Sequence, residues 1–96
     1  MSRMRQSVVD FALAMERELQ TNDHKDGWAD LSPKWLLNRM RQEMGELASA
    51  IEQKSNVEHI ESEAADVANF AMMIAENYRR ANDGGLRAPH RDGERG

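Results

Sequence analysis

The chain has 96 residues, 40% of them apolar, a formal net charge of −4 and no cysteine. That length makes one domain with a modest core. The missing thiols exclude disulfides and thiolate metal sites, the acidic balance argues against a nucleic-acid partner, and no apolar run reaches the ~20 residues of a membrane span. No signal-peptide core follows the first methionine, so the expected location is cytoplasmic.

The first predicted element is a helix over 3–21. Met4, Val8, Phe11, Met15 and Leu19 recur three and four apart, with Arg3, Arg5, Asp10, Glu16 and Arg17 off that stripe. Residues 21–31, T-N-D-H-K-D-G-W-A-D-L, are dense in turn formers and read as a loop. Two readings of it stay open. In one, Trp28 caps the end of the bundle and Lys25 is solvated. In the other, the loop binds substrate, with Lys25 reaching phosphate and Trp28 facing a base.

A second helix is expected over 32–53, with Ser32 as N-cap and Pro33 in the first turn. Leu37, Met40, Met44, Leu47 and Ile51 form a heptad-like seam, which marks the core face. Glu43 and Glu46 lie about 100° and 160° to one side of Met44, on a second strip shared with Leu36, Arg39 and Ala50. The turn is Q-K-S-N at 53–56, and Ser55 with Glu58 reads as a capping box. The third helix then runs over 56–81. Its three-four seam is Ile60, Ala64, Val67, Ala71, Ile74 and Tyr78. Glu63 falls inside that seam, and Asp66 lies at its edge with Asn69, Phe70, Met73 and Asn77. From Ala64 to Ala75 the helix is nearly apolar all round, which calls for a partner subunit. Residues 1–82 therefore read as one helical domain, and 83–96, glycine-rich and charged, as a disordered tail.

The chemistry lies in two acidic pairs, Glu43/Glu46 in E-M-G-E and Glu63/Asp66 in E-A-A-D. Each is equally far from the turn, so an antiparallel hairpin puts them at one height, ~13 Å from its tip. The spacing alone is common here, since Asp23/Asp26 and Glu58/Glu61 share it. The matched height, and Glu63 within an apolar stripe, set the two pairs apart. Four facing carboxylates repel unless a cation sits among them. The competing reading is a salt bridge, with Arg39 one turn before Glu43. An oxygen-only ligand set selects a hard divalent ion, Mg²⁺ or Mn²⁺, of the kind held jointly by carboxylates and substrate phosphates.

The wording around these acids, W-L-L-N-R-M-R-Q-E-M-G-E-L and E-A-A-D-V-A-N-F-A-M-M-I, with G-W in the preceding loop, resembles the MazG-like all-α nucleoside triphosphate pyrophosphohydrolases. It is most similar to the dATP/dGTP diphosphohydrolase branch. The resemblance covers about residues 11–78. It implies an all-α fold, a three-helix antiparallel bundle completed by oligomerisation as a homodimer or homotetramer. It also implies hydrolysis of a nucleoside triphosphate between the α and β phosphates, a purine deoxynucleotide first, to monophosphate and pyrophosphate. Glu43, Glu46, Glu63 and Asp66 would hold Mg²⁺ or Mn²⁺, Glu43 would orient or deprotonate the attacking water, and Asn69 would contact sugar or phosphate. Many relatives carry a further helix where this chain has its glycine-rich tail. The alternative function is a non-enzymatic helical oligomerisation module whose acids are solvated or salt-bridged.

Overall fold

A computed structural model of the chain describes residues 3–22 and 27–83. The fold is all-α, with three helices, α1 (Gln6–Thr21), α2 (Pro33–Glu52) and α3 (Val57–Asp83), and no strand among the described residues. The 83–96 tail expected from the sequence lies outside them, apart from Asp83, which is the last residue of α3.

Local chemistry sets the ends of the α2–α3 hairpin. Ser32 is extended and its hydroxyl accepts the Trp35 N–H at 3.1 Å, with Pro33 in the first turn. At the other end Ser55 N–H reaches Ala50 O at 3.0 Å and Lys54 N–H reaches Ile51 O at 3.1 Å, the paired bonds of a Schellman motif. Lys54 takes the left-handed position at φ 56°, which glycine usually fills. This shifts the start of α3. Ser55 is used by the Schellman motif, and Asn56 becomes the cap, its Oδ1 accepting His59 N–H at 2.8 Å. The expected Ser55–Glu58 capping box is therefore replaced by an asparagine cap one residue on.

α3 is the central element. α1 and α2 each pack against it and not against each other, so a groove runs over α3 between them. The core is Leu36, Phe70 and Met73, closed over by Leu19 of α1 and by Trp28 and Leu31 of the loop. Asn77 ties that loop down, donating to the carbonyls of Trp28 at 3.0 Å and Leu31 at 3.4 Å.

The face of the hairpin that turns inward is rotated from the one the periodicity marks: Met40 and Ile74 of the two expected seams still pack on the core, but the most buried positions lie to one side of those seams. On α2 the buried residues are Leu36 and Ala50, from the strip that carries Glu43. Leu37, Met44 and Ile51 of the heptad-like seam are exposed. On α3 the buried residues are Ala65, Asn69, Phe70 and Met73, whereas Ala71 and Tyr78 of the expected seam face outward. Both helices carry two apolar strips, and one layer of neighbours covers only one of them. α1 keeps its expected face over its C-terminal part, where Phe11, Met15 and Leu19 are half-buried and Leu19 packs on the core, with Ala14 the residue buried most completely; Val8 and, before the helix, Met4 are exposed. No helix of the described residues is long and apolar enough to cross a membrane.

Candidate active site

The short turn makes distance along the chain equal to height along the hairpin, which brings three of the four expected acids together. Glu43 from α2 meets Glu63 and Asp66 from α3, with one oxygen of each within 4.8 Å of the others. Glu46 does not join them. It is exposed, and a rotation of about 60° around α2 separates it from Glu43. Its charge still reaches Glu63 and raises that carboxyl's pKa.

The trio is electrostatically crowded. Burial pushes the Asp66 carboxyl up to about 6, and the charges of Glu18, Glu43 and Glu63 add to it. The Asn22 amide, 3.4 Å from Oδ1, pulls it back. Glu63 is raised by burial first and then by Glu43, with Glu46 and Glu18 adding smaller pushes; His59 opposes them, its Nε2 lying 3.7 Å from Glu63 Oε2. Like charges and partial desolvation both favour the protonated form, and a bound cation would reverse both effects. The donor set fits a hard divalent ion: three carboxylates from two rigid helices, all oxygen.

Glu18 of α1, absent from the sequence expectations, adds its charge to the trio and raises Asp66 and Glu63. It lies seven residues after Phe11 and three after Met15, on the apolar face of α1. The signal was therefore present: a charge on an apolar stripe, the same signal that singled out Glu63.

A cavity of about 270 Å³ opens beside the trio, lined by Asn22, Arg39, Glu43, Asp66, Asn69, Phe70 and Met73. It is slightly smaller than ordinary ligand pockets, which start near ~300 Å³, so it suits part of a ligand. Asn69, at 3% exposure, is the buried polar residue of the core. Its Nδ2 donates to Met15 O at 3.0 Å, which fixes the amide's orientation because a carbonyl only accepts. The Oδ1 is left buried with no partner. A lone buried acceptor costs about 1–3 kcal/mol and calls for a donor. It therefore suits a donor such as a hydroxyl, an amine or a bound water.

Of the two residues expected to touch substrate from the loop, Lys25 lies outside the described residues. Trp28 packs on the Leu36–Phe70–Met73 core, its indole N–H donating to Glu76 Oε1 at 3.1 Å. It does not line the cavity.

Among known proteins, an uncharacterised protein of Archaeoglobus fulgidus is 38% identical over 60 residues, which are 62% of this chain. The match spans 63% of the length of that archaeal relative. No family model matches the chain, and no solved structure matches it.

Proposed function

We propose that the chain is a metal-dependent nucleoside triphosphate pyrophosphohydrolase of the MazG-like kind, converting a (d)NTP and water to the (d)NMP and pyrophosphate. The observation that carries the reading is the meeting of Glu43, Glu63 and Asp66 at one height of the hairpin, next to a cavity with an unpartnered buried acceptor. The choice of the α–β bond and of a purine deoxynucleotide rests on the sequence resemblance.

In this reading Glu43, Glu63 and Asp66 hold Mg²⁺ or Mn²⁺, and Glu46 adds to the negative field from outside. The bound ion supplies Lewis acidity toward phosphate oxygens and acidifies a water. Glu43 takes a proton from the attacking water, whose oxygen bonds to the α-phosphorus as the bridging bond to the β-phosphate breaks. Pyrophosphate leaves with that bond's electron pair. Asn69 Oδ1 accepts from a sugar hydroxyl and sets the nucleoside's orientation.

The exposed seam Leu37–Met44–Ile51 takes a second copy of the chain, giving a homodimer or homotetramer that works in the cytoplasm, where nucleoside triphosphates are found. This seam is also the observation that favours the second reading, a helical oligomerisation module without catalysis. A panel of NTPs and dNTPs, incubated with Mg²⁺ or Mn²⁺ and analysed for products, separates the two. Monophosphate and pyrophosphate, formed only with metal, support the enzyme. An intact panel with a stable oligomer supports the module, and orthophosphate alone sinks the bond assignment.

A further inference from the structure

Arg39 is the cation in the lining of the cavity among the described residues, and it sits where a helix ion pair gains little. Its guanidinium pairs with Glu43 Oε2 at 3.2 Å across one turn. Arginine preceding glutamate at this spacing is the poorer orientation of a helix ion pair. Yet the side chain is held firmly. It also donates to the Gln42 side chain and lies 5.1 Å from the centroid of the Phe70 ring, itself anchored in the core. The guanidinium lies over the Phe70 ring in the lining of the cavity with Nη1 on Gln42 and Nη2 on Glu43, so an entering anion can reach its donor fork only by displacing one of these partners.

We propose that Arg39 is an anion-binding arm with two positions: it closes on Glu43 while the carboxylates lack their ion, and turns to a polyphosphate's oxygens when ion binding takes Glu43 from it. This rests on the pyrophosphohydrolase reading and adds an order of events to it, with the ion before the anion. It also gives Arg39 opposite effects on the two ligands. As a competitor for Glu43 it weakens ion binding, and as a planar fork it strengthens phosphate binding.

The test is calorimetric titration of the full chain, first with Mn²⁺ alone and then with inorganic tripolyphosphate at saturating Mn²⁺. Arg39→Gln should bind Mn²⁺ about fivefold more tightly and tripolyphosphate about tenfold more weakly. Arg39→Lys keeps the charge but loses the fork and the stack. It should leave Mn²⁺ binding near that of the unaltered chain and still weaken tripolyphosphate. Mn²⁺ binding that weakens or stays the same in a folded Arg39→Gln protein makes Arg39 a structural ion pair and overturns the proposal alone. An unaltered chain that binds no Mn²⁺ overturns the metal-site reading and this proposal with it.

Discussion

The two faces of the α2–α3 hairpin differ in a way that runs against simple hydrophobic patterning. The outer face carries the more regular seam, with Leu37, Met44 and Ile51 exposed on α2 and Tyr78 exposed on α3. The inner face carries Leu36, Ala50, Ala65, Phe70 and Met73, interrupted by Glu43, Asp66 and Asn69. A chain optimised only for burial would turn the regular seam inward. Turning the interrupted strip inward instead brings like charges together and leaves a buried acceptor alone, features that lower stability and are expected where a site holds a ligand. Under the proposed function the inner face is a site built on a core and the outer face an apolar surface for another copy.

The comparison breaks most readily at the acids. Glu43→Ala, Glu63→Ala and Asp66→Ala should each cut turnover by about 10³-fold, equivalent to ~4 kcal/mol in the barrier. Glu46→Ala, which removes a charge outside the trio, should fall by less. Glu58→Ala and Glu61→Ala share the spacing on the same helix but not the height, and should keep most activity. Steady-state pyrophosphate release measures all six, and equal losses at Glu58 and Glu63 would mean that position in the hairpin does not matter.

Adjacent leucines sharpen the comparison for stability. Leu36 is fully buried and Leu37 is 36% exposed. Leu36→Ala should cost about 3 kcal/mol in urea unfolding. Leu37→Ala should cost under ~1 kcal/mol at dilutions where the chain is monomeric, and more as concentration rises. Similar losses at both positions, independent of concentration, would mean that the two faces do not differ.

The smallest effect is one of pH. The Asp66 carboxyl titrates at about 6 in the fold, against 3.8 ordinarily, so the folded chain retains a proton that the unfolded chain has released. Without metal, stability should therefore fall as pH rises from about 4 to 6 and level off above that. Asp66→Asn should remove part of this slope and gain about 1–2 kcal/mol at pH 7, after allowance for solvent screening. Urea melts at pH 4.5 and 7.5 give the difference, and a slope of the opposite sign would show that the crowding of the trio is not felt.

Much of this was legible in the sequence because the turn is short. Four residues between α2 and α3 leave little freedom of register, so acids placed equally about the turn come to one height; Glu43, Glu63 and Asp66 meet there, whereas Glu46 is turned to another face of α2. Ser32 and Pro33 fixed the start of α2 by backbone chemistry alone. The inward strip was not legible. It depends on where α1 and the Trp28 loop come to rest, and periodicity within one helix carries no information about that. Asn69 illustrates the same gap. Its place beside Asp66 followed from spacing, but its free atom is an acceptor only because Met15 O, 54 residues away, takes its N–H. Arg39 was visible as a partner for Glu43, but its stack on Phe70 required the tertiary fold.

Under the proposed function the inner trio is strained until it binds an ion, and thermal unfolding with and without Mn²⁺ tests this directly. The unaltered chain should melt on the order of 10 °C higher at a hundredfold excess of Mn²⁺ over its Kd. Glu63→Gln, which removes a charge from the trio, should melt higher than the unaltered chain without metal and gain nothing from Mn²⁺. A Tm indifferent to Mn²⁺ even with a nucleoside triphosphate present, or a Glu63→Gln protein that melts lower without metal yet still responds to it, would contradict the claim.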